Sequence, residues 1–116
     1  MANYTDPIKT KDVWYITSDA TPDVCVDKYN HVHITALATA ITSMTSGLSG
    51  TPVDFQTLTY RIKDDGTGRA ITWGASFVAR GYALPTTTVA SKITYVVFKY
   101  NSTAAIWECV GRPQEI

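Results

Sequence analysis

The sequence predicts an all-β fold, a small antiparallel β-sandwich or jelly-roll-like domain with an extended N-terminal arm, and three observations lead to it. Eighteen Thr, ten Val and nine Ile stand against two Glu and six Lys; β-branched side chains lose rotamer freedom in a helix and pack well on a pleated surface. Apolar and polar residues alternate, as in Leu58, Tyr60 and Ile62 against Thr59, Arg61 and Lys63, which is the period of a strand with one face buried. Short runs of this kind recur along the chain with Gly, Pro, Asp and Asn clusters between them, the punctuation of a sandwich.

Residues 1–12 are polar, include Pro7 and show no period, so they form the arm, and residues 13–116 form one sandwich domain. Residues 13–17 make the first strand, ended by the turn-forming run 18–23. A short second strand follows at 24–26, a turn at 27–30, and a third strand at 31–36. The run ALATAITSM (36–44) is ambiguous, because Leu37, Ile41 and Met44 lie at helical spacing. Its Thr and Ser content and the lack of a good cap favour a strand. Residues 46–52, rich in Ser and Gly, make a loop.

The centre of the chain, residues 56–80, reads as a tight β-hairpin. Its first strand ends at Asp64, Asp65, Gly66, Thr67 and Gly68, residues that tolerate the positive φ of a sharp turn. Residues 69–73 return with Ile71 and Trp73, and Gly74 marks a bulge or the close approach of another backbone. A short strand lies around Phe77, and residues 86–89 are extended. Residues 93–100 place β-formers on both faces, which suits a strand central to a sheet or covered by a neighbouring subunit. A hairpin loop at 101–105 leads into the closing strand at 106–110.

Ten basic and ten acidic side chains cancel, and charged residues are only 17% of the chain, below the roughly 25% of soluble domains. Without a basic patch to hold phosphates, nucleic-acid binding is not expected. Such a low-charge surface belongs either to a protein covered by copies of itself or a partner, or to one that is simply polar and uncharged. No apolar run is long enough for a membrane span and the N-terminus lacks a signal-peptide core, so the protein is expected to be made and kept in the cytoplasm without membrane contact. Cys25 and Cys109 have no redox or zinc spacing. Reduced, buried thiols are the expectation, with a bridge formed after lysis as the alternative.

Candidate chemistry is sparse. His31 and His33 share one strand face and could hold a metal, especially around a three-fold axis, although two ordinary histidines fit the pattern better. Asp64-Asp65-Gly66 lacks the ligand spacing of a calcium loop, and Gly66-Thr67-Gly68-Arg69 lacks the Lys and the helix of a phosphate loop; both read as turn chemistry. No nucleophile elbow occurs and two Glu are a poor basis for a carboxylate pair, so neither enzymatic activity nor a cofactor is expected. Among the aromatic residues, Trp73, Phe77, Phe98 and Trp107, with Ile71, are assigned to the core. Tyr82, between Gly81 and Pro85, is the best candidate for exposed recognition of sugar rings or for an interface.

The run RIKDDGTGRAITWGASFVARG, followed by ALPTTT, ITYVVFKYN and IWECV, resembles a domain recurrent in tailed-bacteriophage virion proteins: capsid decoration (cement) proteins, head fibres and tail-fibre modules. The resemblance spans residues 34–115, and residues 1–33 have no counterpart in it. It implies a small β-sandwich that assembles as a homotrimer without enzymatic activity. The expected function is therefore a decoration protein that binds the major capsid protein on the outside of the head, with a fibre module recognising host glycans as the alternative. An arm in such a protein reaches a neighbour, which makes Asn3, Tyr4, Ile8 and Trp14 the expected capsid or subunit contacts.

Overall fold

A computed structural model of the protein describes residues 12–112. Eight strands follow one another along the described residues: β1 (Asp12–Ile16), β2 (Val24–Cys25), β3 (Tyr29–Leu37), β4 (Leu48–Ser49), β5 (Thr57–Asp64), β6 (Phe77–Ala79), β7 (Ile93–Asn101) and β8 (Ile106–Gly111). Six of them form one sheet in the order β1-β3-β5-β7-β8-β6, while β2 and β4 pair separately. The all-β expectation holds, and most strands fall where the alternation places them.

Their pairing corrects the expected antiparallel sandwich. β3 runs parallel to both β1 and β5, β6 is parallel to β8, and β2 to β4. Only β7 is antiparallel to its neighbours β5 and β8. Parallel neighbours need a crossover that carries the chain back to its starting end. Residues 17–28 and 38–56 supply those crossovers without helices, and residues 65–92 carry the chain from β5 out to the far edge and back.

These crossovers lie on one face of the six-stranded sheet and form the second layer. Short extended stretches there bond to one another: Ile41 N donates to Ala70 O at 2.9 Å, Met44 N to Thr72 O at 3.0 Å, Val24 N to Gly47 O at 2.9 Å and Ile71 N to Thr86 O at 2.8 Å. Their apolar side chains, Val24, Val26, Ile41, Met44, Ile71 and Trp73, join Val32, Ile34, Leu58, Tyr60, Ile62, Val96, Phe98 and Trp107 of the sheet in one buried cluster. Rings meet edge to face within it, Tyr60 against Trp73 at 5.3 Å and against Phe98 at 6.1 Å, the arrangement favoured by ring quadrupoles. The indole of Trp73 donates to Pro85 O at 2.8 Å.

The central hairpin does not form. β5 takes β7 as its antiparallel partner, with Tyr60 opposite Val96 and Ile62 opposite Thr94. The segment after the turn instead joins the inner layer through bridges from Ile71 to Ile41 and from Ala70 to Thr87. Burial explains the choice: as an inner-layer segment, residues 71 and 73 pack under the sheet, and the longer β-forming run of β7 fills the sheet position. The ambiguous stretch 36–44 is likewise neither helix nor continuous strand. β3 ends at Leu37, and the chain then runs irregularly to the single bridge at Ile41. The expected loop at 46–52 contains β4.

Candidate functional site: the open face of the sheet

Alternation along the strands decides what the uncovered face displays. With Val32, Tyr60 and Val96 turned inward, their neighbours turn outward, and strand register aligns them in two rows. One row runs Tyr15, His33, Arg61, Tyr95 across β1, β3, β5 and β7. The other runs Val13, His31, Thr59, Val97. Apart from Val13 and Tyr15 on the edge strand, all are half-buried by their own neighbours. The four strands span roughly 15 Å at the ~4.8 Å spacing of paired strands.

Between the rows lies a shallow groove of about 260 Å³, whose wall residues include Val13, His31, His33, Arg61 and Tyr95. Arg61 Nη2 lies 2.9 Å from His33 Nδ1, and Arg61 Nη1 donates to the Tyr95 hydroxyl at 3.4 Å. A guanidinium can only donate, so His33 Nδ1 is the acceptor and the ring proton sits on Nε2. Burial, and then the adjacent Arg61 charge, hold the His33 imidazole below its ordinary value, so the ring is neutral at pH 7. The Tyr15 ring, 62% exposed, leans over His33 at 5.5 Å.

This geometry bears on the two histidines as metal ligands. They do share a strand face, but Arg61 occupies one ring nitrogen of His33 and places a fixed cation beside it, which opposes a second cation. Among the described residues no group of three or more His, Cys, Asp or Glu is arranged to hold a metal ion.

The remaining expected residues fall elsewhere. Asn3, Tyr4 and Ile8 lie outside the described residues. Trp14 is the inward residue of β1, packed against the core and against Tyr29 at 5.0 Å; Val13 and Tyr15 are the ones that face out. Tyr82 is 52% exposed on the loop after β6. Ile71, Trp73, Phe77, Phe98 and Trp107 are all in the core. Asp64, Asp65, Gly66 and Gly68 form the turn beyond β5, where Gly66 takes φ +106° and Asp65 pairs with Arg69 at 2.8 Å. Cys25 and Cys109 are free thiols, and burial pushes the Cys109 thiol up.

Sequence reasoning missed Arg61 and Tyr95 as site residues. The alternation that named the inward Tyr60 and Ile62 also turns Arg61 outward, but which strands flank β5 decides what it meets. A second exposed feature was missed as well: Phe55, 72% exposed, sits at φ +66° on the loop before β5, near Val53 at 67% exposure. A bulky residue in that region is strained, and the loop is held by Phe55 N donating to Tyr100 O at 2.8 Å. Compared with protein-family models, with curated proteins and with solved structures, the chain matches none of them.

Proposed function

We propose that the protein is a non-enzymatic structural component of a tailed-phage particle, a decoration protein that docks through the open face of its six-stranded sheet onto the capsid exterior and a sister subunit. The observation that supports docking is this face: a surface four strands wide, set with Tyr, Val and His, that no other segment among the described residues covers. An aromatic-bearing sheet face, partly exposed and uncovered by the rest of the described fold, is the kind of surface a partner covers. The phage assignment rests on the sequence resemblance; the all-β class agrees with it, while the mixed, largely parallel pairing departs from the antiparallel sandwich expected from the sequence.

In this reading each subunit contributes modest contacts that add when several are engaged at once, because the second contact forms at high effective concentration. Trimerisation multiplies the contacts and resists outward pressure on the shell. Adding the purified protein to capsids that lack it and imaging them by cryo-electron microscopy tests the reading. Ordered density at capsid symmetry axes, with the open face turned to the shell or a sister subunit, is expected. Bare shells would overturn it.

The exposure of Tyr82 favours a second reading, a fibre module that stacks host glycans on that ring. It requires glycan-array binding that Tyr82→Ala abolishes while the fold is kept.

A further inference from the structure

The open face lacks a charge balance of its own. Across β1, β3, β5 and β7 its outward positions after Asp12 include Arg61, Lys63 and Lys99 but no carboxylate. The carboxylate on the adjoining β8, Glu108, is already held by Arg80 at 2.9 Å and by Asn101. Arg61 is the cation set into the groove. It is half-buried and no Asp or Glu among the described residues lies within ion-pair distance of it.

Its surroundings are prepared for an anion. His33 and Tyr95 hold the guanidinium from two sides, so its fork is oriented before anything binds, and a carboxylate could take two parallel hydrogen bonds from it. His33 Nδ1 accepts from Arg61, which leaves the Nε2–H of the ring as a further donor. Partial burial beside Val13 and Tyr95 lowers the local dielectric and strengthens such a pair relative to one in water. The groove is shallow and open, so it can take a lone carboxylate side chain, and a protein surface that carries one would cover the rest of the face as well.

We propose that Arg61 is the seat for an aspartate or glutamate side chain of the protein against which the open face docks. The proposal rests on the docking reading for its partner, but the seat itself is testable on the isolated protein. The probe is N-acetyl-glutamate amide, with N-acetyl-glutamine amide as the neutral control, titrated while the side-chain resonances of Arg61 and His33 are followed by NMR at pH 7. Saturable shifts with the glutamate probe alone are expected, weakened about tenfold or more by Arg61→Gln and unchanged by Lys28→Gln, which removes a charge elsewhere. Should Arg61→Gln lose its amide dispersion, Arg61→Lys keeps the charge without the fork and is expected to weaken the probe as well.

Equal shifts with both probes, or a folded Arg61 variant that titrates like the parent, would overturn the proposal whatever the particle experiment gives. Inorganic phosphate or glucuronate binding more tightly than the glutamate probe would overturn the choice of a protein carboxylate. If the glutamate probe binds as expected and capsids stay bare, the docking reading falls while the carboxylate seat stands.

Discussion

Asp64 ties three segments together at the end of β5. Its Oδ1 accepts from the amides of Gly66 at 3.0 Å and Ser91 at 2.8 Å, and its Oδ2 accepts from the Thr88 hydroxyl at 2.7 Å. Burial works against the charged form, but these bonds and the Arg69 charge outweigh it and hold the carboxyl below its usual range. Asp64→Ala is expected to cost about 3 kcal/mol in chemical denaturation, since three donors lose a charged acceptor. Because the folded-state value is depressed, the contribution is full above the unfolded value near 4 and is lost as pH falls below it toward the folded value. An Asp64→Ala protein whose stability matched the parent at pH 7 would refute this. His33 follows the same sign at higher pH: its depressed value makes its contribution complete above about 6.5 and lost below. Imidazole NMR is expected to show a midpoint under 6.5, moved part of the way back by Arg61→Gln, because burial, the larger cause, remains. Tyr60 is the opposite kind of residue, a wholly buried phenol whose hydroxyl makes no hydrogen bond with the described protein groups. Tyr60→Phe should therefore keep stability or raise it by about 1 kcal/mol, and a clear loss in melting temperature would show a bond to that oxygen.

At the scale of elements, the inner layer depends on backbone approach more than on regular pairing. Gly74 adopts φ +88°, and a Cβ built on it would lie 2.5 Å from Thr45 Oγ1. That hydroxyl donates to Trp73 O at 2.9 Å and accepts from Ser76 N at 3.2 Å, so it cannot give way without loss. Gly74→Ala combines a disfavoured conformation with a clash. It is expected to destabilise by about 2 kcal/mol, and a neutral result would mean that this crossover moves freely. β7 shows the reverse case, where regular pairing wins. Flanked by β5 and β8, it carries Thr94, Val96 and Phe98 inward and Tyr95 and Val97 outward. The same strand thus supplies the core and the open face.

For the whole molecule, the two faces of the large sheet divide the labour. One is sealed by crossovers and makes the core; the other is left open by the described residues. A chain with this low charge and this half-apolar face is expected to be a trimer by light scattering at micromolar concentration. A monomer there would remove the trimer, and with it the added contacts on which the decoration mechanism depends.

The sequence by itself determined the local facts. The strand positions of β1, β3, β7 and β8 follow from period-two alternation, and the turn at Asp64–Gly68 follows from residues that accept positive φ or bond their own backbone. Membership of Trp73, Phe98 and Trp107 in the core follows from their apolar bulk, whatever the topology. Only tertiary structure decided which strands are neighbours. Alternation says that a residue faces in or out, but it is silent on whether the next strand runs parallel or antiparallel, so the local turn at 64–68 misleadingly implied a hairpin. Long crossovers changed the outcome, because burying Ile71 and Trp73 under the sheet leaves β5 free to pair with β7. The candidate site was hidden for the same reason: Tyr15, His33, Arg61 and Tyr95 are scattered through the chain, and only the register of four strands sets them in one row.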